Sequence, residues 1–224
     1  MPQAYTINIT MTPSTVTILA RNGFALYGFK AVKTTTQGAA PLVWFQTSSF
    51  FINTQVTWMD QYRAYLSASP IVPNGNIAVS SAIAIDLGQT AVVGGNGQLT
   101  AIAQGTPSAI SLSSASFQQW TSGIAQPSAD QQPSPLVALP LSGSGIEVVT
   151  PVEKVMLLFA QATFSAGTVS YKAYARGILV DLTGASQRNV SYDTNNGWNS
   201  GGSAWATPIA AQQDLVPILV NPGS

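Results

Sequence analysis

Apolar and polar residues alternate along most of this chain, and glycine, proline, asparagine or serine interrupts the alternation roughly every 8–12 residues. A period of two puts one side of an extended segment in a core and the other in water. Tyr5-Thr6-Ile7-Asn8-Ile9-Thr10-Met11 shows the pattern most cleanly, and Thr15-Val16-Thr17-Ile18-Leu19 continues it. Asn22-Gly23, set before Phe24-Ala25-Leu26-Tyr27, reads as the tight turn of a hairpin. Further strands are expected at 42–46, 55–58, 76–87, 98–103, 109–112, 146–149, 155–160, 168–174, 178–182 and 215–220. Only 58–66 offers a short helical turn. So many short strands predict an all-β fold, a β-sandwich or jelly-roll-like body.

Short segments recur in the same order at an offset of about 95 residues. Thr12-Pro13-Ser14 returns as Thr106-Pro107-Ser108, and Pro41-Leu42-Val43 as Pro135-Leu136-Val137. Thr54-Gln55-Val56 matches Thr150-Pro151-Val152, and Ile85-Asp86-Leu87 matches Val180-Asp181-Leu182. The shared order predicts an internal duplication, with one β unit over 1–105 and a second over 106–206, packed as one body. The remainder, 207–224, is expected to supply a last strand and tail that closes on the first unit.

Charge limits the partners. Only 7% of the 224 residues are charged, and eight cations balance eight anions. Nucleic-acid binding draws its affinity from clustered cations, and here they are scattered, so no nucleic-acid partner is expected. A surface without net charge lacks the self-repulsion that keeps copies apart. No basic segment leads into an apolar run at the start, and no apolar run is long enough to span a bilayer. The chain reads as soluble, and its compartment is left open.

Chemistry is limited further by what is missing. There is no histidine and no cysteine, which removes the commonest general base, the thiolate nucleophile and the soft metal ligands. The carboxylates are Asp60, Asp86, Asp130, Glu147, Glu153, Asp181, Asp193 and Asp214. Asp86 and Asp181 stand at equivalent places in the repeat, and two converging carboxylates could hydrolyse a glycoside. A recurring acid at a strand end more simply caps a turn. Glu147 and Glu153 bracket an extended segment and are expected to pair with Lys154 or Arg176. Asp193-Thr194-Asn195-Asn196-Gly197 has part of a calcium-loop composition but no following bidentate glutamate. No metal and no cofactor are expected.

Two aromatic groupings remain. Trp44-Phe45, Phe50-Phe51, Trp58, Tyr62 and Tyr65 read as core, or alternatively as a membrane-interface patch. The segment 192–205 places Tyr192, Asp193, Asn195, Asn196, Trp198, Asn199 and Trp205 on a glycine-rich loop. Rings that cover the C–H face of a sugar and amides that bond its hydroxyls suit a glycan. The same side chains suit protein contact, and they also suit a loop that tucks its rings onto the core. The expected function is a non-catalytic structural protein that assembles with itself as a filament, coat or surface-layer subunit. The alternatives are a lectin-like carbohydrate-binding protein and a β-sandwich pore-forming or membrane-binding toxin.

Overall fold

The computed structural model describes residues 2–115, 118–128, 132–143 and 145–221. Strand β1 (Ala4–Met11) leads into helix α1 (Pro13–Arg21), then β2 (Ala25–Thr34), β3 (Ala40–Pro41), β4 (Phe45–Thr47), β5 (Asn53–Met59) and β6 (Tyr62–Ser67). The middle gives β7 (Ser81–Ile85), β8 (Thr90–Val93), β9 (Leu99–Ile102), β10 (Ile110–Ser114), β11 (Trp120–Pro127), β12 (Pro133–Pro135) and β13 (Val137–Leu141). The last part gives β14 (Ile146–Ala160), β15 (Gly177–Asp181), β16 (Gln187–Asp193), β17 (Gly197–Asn199), β18 (Ala206–Ile209) and the single turn α2 (Val216–Leu219). The fold is all-β and sandwich-like. No helix among the described residues is long and apolar enough to cross a membrane.

Three sheets pack together. The first runs β17-β16-β1-β5, with β1 parallel to β16 and antiparallel to β5. The second runs β18-β15-β14-β10-β8-β9, with β2 also on β14 and β4 on β2. The third runs β3-β13-β11-β6-β7, with β12 on β11. Each sheet draws strands from both 1–105 and 106–206. The internal duplication is not confirmed: Thr12-Pro13-Ser14 opens a helix, whereas Thr106-Pro107-Ser108 forms a turn before β10.

Several local expectations fail for identifiable reasons. Residues 15–19 are helical because the Thr12 side chain caps the helix by accepting from the Thr15 amide at 3.2 Å, and Pro13 begins it. Asn22-Gly23 therefore ends a helix instead of turning a hairpin, with Gly23 at φ +67°. Residues 58–66 are extended, as the end of β5 and most of β6. Residues 168–174 make isolated bridges to Leu42, Asn76 and Asp214 in place of a strand. Residues 215–220 form α2, and Val220 bridges Val32 of β2, so this segment does return to the first part of the chain. The expected strands at 146–149 and 155–160 are one strand, β14, carried across an irregularity between Pro151 and Val155.

That irregularity brings Glu153 onto Lys30 of β2. The Lys30 side chain is 0% exposed, and its Nζ lies 3.1 Å from Glu153 Oε2. It also donates to Gln126 Oε1 of β11 at 2.7 Å and lies 4.9 Å from the centre of the Trp58 ring of β5. The expected partners of Glu153 are thus corrected: Glu153 pairs with Lys30, Lys154 pairs with Asp181 at 3.3 Å, and Glu147 accepts from the Thr36 hydroxyl. A bulge re-aims a side chain that regular pleating would point elsewhere, so strand spacing could not foresee this pair.

Burial pushes the Lys30 amine down to about 8, against the pull of Glu153, and the same burial pushes the Glu153 carboxyl up. In the unfolded chain the amine returns to its ordinary value of 10.5. Between these two values the unfolded chain holds more protons than the folded one, so stability rises with pH. The unfolding free energy in urea should increase by about 2 kcal/mol from pH 7.5 to 9.5, relative to a Lys30→Met/Glu153→Gln double variant. A difference between the two proteins that ignores pH would show that the amine is not charged in a dry site.

Candidate functional site

The segment 192–205 is a hairpin followed by turns at the edge of the first sheet. β16 and β17 pair through Ser191↔Asn199, Tyr192↔Trp198 and Asp193↔Gly197. Gly197 sits at φ +75°, and Gly201 and Gly202 follow at +68° and +77°, values that residues with a Cβ rarely adopt. Asp193 holds the turn. Its Oδ1 accepts from the Asn195 amide at 2.9 Å and the Asn196 amide at 3.2 Å, and its Oδ2 accepts from the Thr15 hydroxyl at 3.0 Å. These bonds, the Asn195 amide first, keep its carboxyl below the ordinary carboxylate range. Helix α1 therefore fixes the loop through Thr15, itself fully buried.

Between this hairpin and the β15/β18 edge of the second sheet lies a cleft of about 690 Å³. Tyr192, Asn195, Asn196, Trp198 and Asn199 line one wall. Ile178 of β15 and Pro208 of β18 lie opposite, with Arg176 just before β15 and Phe24 just before β2. The Trp198 ring stacks on Phe159 at 5.5 Å between centres and 14° between planes, and Tyr192 leans against both rings. The Trp198 indole N–H is shielded from solvent and has no acceptor among the described residues, an arrangement that costs free energy in a packed interior.

Five of the seven loop residues singled out by sequence therefore come together. The other two do not line the cleft. Asp193 is spent on its own turn, and Trp205 packs beneath Arg188, with the guanidinium carbon 4.9 Å from its ring centre. Sequence reasoning missed Phe24, Phe159 and Arg176. They reach the cleft through pairing of distant strands, and no local pattern marks them.

The polar groups facing the cleft are mainly amides and hydroxyls. Asn195 and Asn199 are exposed, and the Asn195 side chain makes no hydrogen bond among the described residues, its backbone amide being the group bound to Asp193. Asn199 Oδ1 accepts from the Gly201 amide at 2.7 Å, which leaves its side-chain amide hydrogens unclaimed among the described residues. Among the described residues no carboxylate lines this space. Asp86 and Asp181 end strands in different sheets. Asp181 accepts from the Thr183 amide at 2.8 Å and pairs with Lys154, which is a turn-capping role. Asp130 lies outside the described residues. Among the described residues no three acidic side chains gather to hold a metal.

The other aromatic grouping is core. Trp44, Phe45, Phe50, Trp58, Tyr62 and Tyr65 are all buried, and Phe51 alone is exposed, at 69%. No protein-family model, curated protein or solved structure matches this chain. The cleft is therefore read from its own geometry.

Asp193→Ala should release the turn that presents Asn195 and Asn196. Hydrogen exchange should speed up at these two amides and leave β1 unchanged. Unaltered exchange at both amides would mean that the carboxylate does not hold the loop.

Proposed function

We propose that this chain is a non-catalytic recognition protein that binds a glycan in the Trp198 cleft. The observation that carries the proposal is the pairing of ring and amide on one concave wall. Trp198 and Tyr192 supply apolar faces for the C–H side of a pyranose, and Asn195, Asn199 and Ser200 supply groups for its hydroxyls. The wall is held before any ligand arrives, by Asp193, by three positive-φ glycines and by the stack on Phe159. A preformed wall reduces the ordering cost of binding. Chemistry on the ligand is harder to support, since none of the lining side chains is a carboxylate, histidine or cysteine.

A second reading, assembly of copies of this chain, is favoured by a different surface. Phe51, Ile52 and Ile18 are 69%, 45% and 44% exposed, and the first two line an apolar hollow with Pro13 and Val16. β5 beside them is the last strand of its sheet, with Asn53, Gln55, Thr57 and Met59 facing outward. An open strand edge is a template for pairing.

Two measurements separate these readings. On an array of neutral and acidic oligosaccharides, the protein should retain at least one sugar, and Asn195→Ala and Trp198→Ala should each weaken that retention about tenfold or more while circular dichroism stays unchanged. An array with no retained sugar ends the glycan proposal. In sedimentation the protein should associate as concentration rises, and Phe51→Glu should prevent it. Monomers at every concentration end the assembly reading.

A further inference from the structure

We propose that the ligand of the Trp198 cleft is an acidic sugar, held through its carboxylate or sulfate by Arg176. The assignment rests on the glycan reading of the same cleft and adds the class of sugar.

Of the residues that line the cleft, Arg176 is the one that carries a charge. In a chain with eight cations and eight anions, a cavity lined among the described residues by one cation and no anion is electrostatically one-sided. The nearest acid along the loop, Asp193, is turned away, with both oxygens bonded to Thr15 and to the turn amides. Arg21, Lys33 and Lys172 are exposed but do not line the cleft, and four other basic side chains have partners. Lys30 and Lys154 pair with Glu153 and Asp181, and Arg63 and Arg188 donate to the carbonyls of Ala82 and Asp181. Arg176 is exposed, with no ion pair or hydrogen bond among the described residues.

Its backbone is nonetheless fixed. Gly177, the next residue, pairs with Leu158 on one side and Ile209 on the other. A Cβ at Gly177 would stand 2.7 Å from the Leu157 carbonyl, so the chain enters β15 in close contact with β14. The guanidinium thus hangs from an anchored point on the cleft wall. Its planar fork matches a carboxylate or sulfate with two parallel hydrogen bonds. A neutral sugar filling the same space would strip water from the guanidinium without returning an anion, which is a cost. An acidic sugar places its charge on Arg176 and leaves its hydroxyls for Asn195, Asn199 and Ser200.

The test uses matched oligosaccharides that differ only in charge. One set is oligomers of galacturonate, glucuronate and mannuronate against the same oligomers with the carboxyl groups reduced. The other is sulfated galactan oligomers against their desulfated forms. At physiological salt the wild type should bind the acidic member of a pair about fivefold more tightly, the upper range for an exposed ion pair. Arg176→Gln should erase that preference and retain affinity for the neutral member, while Arg176→Lys should keep part of it. The set in which the preference occurs tells carboxylate from sulfate. Equal binding within every pair, or a preference that survives Arg176→Gln, overturns the acidic assignment and leaves the glycan reading standing. Failure to bind any member, together with an empty neutral array, overturns both.

Discussion

A buried lysine amine packed beside two indole rings ties the three sheets together. Lys30 comes from β2 and Glu153 from the irregular stretch of β14, both in the second sheet. Gln126, which accepts from Lys30, belongs to the third sheet and donates to the Met59 carbonyl of the first at 2.7 Å. Trp44 donates to the Gln126 carbonyl at 3.0 Å, and Trp58 donates to Glu153 Oε2 at 3.2 Å. Each group completes a bond that another would leave open in a dry interior. An unpaired charge there costs about 3–5 kcal/mol, while a well-packed apolar replacement of the whole pair can be neutral. The centre is therefore weak as a source of net stability and strong as a constraint. Shifting any of the three sheets by one residue would strand a buried charge, whereas a purely apolar contact would tolerate such a slip at lower cost.

This constraint explains why some of the fold was legible in the sequence and some was not. β1 and β5 bury one face and wet the other, so Tyr5, Ile7, Ile9 and Met11, and Thr54, Val56 and Trp58, announce their strands by alternation. β11 runs through the middle of the third sheet with six of its eight residues buried, and shows no alternation to read. Its Gly123 is required by close packing, since a Cβ would meet the Val137 carbonyl at 2.1 Å. In a sequence such a glycine looks like a turn. α1 is hidden for the opposite reason: threonines alternating with apolar residues over 15–19 imitate a strand.

The cleft was half legible for a similar reason. Its hairpin wall is contiguous, so Tyr192, Asn195, Asn196, Trp198 and Asn199 could be grouped from composition alone. The rest is assembled by β14, β15 and β18, whose pairing brings Phe159 behind Trp198 and brings Arg176 and Pro208 to the cleft from across the chain. Long-range pairing leaves no local spacing to detect. Trp205 was misplaced because composition cannot tell a ring offered to a ligand from one that covers Arg188.

The sparse charge of this protein bears on the cleft more than on the fold. In an ordinary domain an exposed arginine sits among many neighbours of either sign, and its field is lost within a Debye length of about 8 Å. Here 7% of residues carry charge, the surface is largely amide and hydroxyl, and acids such as Glu153, Asp181 and Asp193 are engaged with partners of their own. The guanidinium of Arg176 then has little to compete with it across the cleft, and low-dielectric walls formed by Trp198, Phe24 and Ile178 concentrate its field. On a surface so sparsely charged, a single exposed guanidinium at the cleft, Arg176, dominates the local field and would favour an anionic ligand.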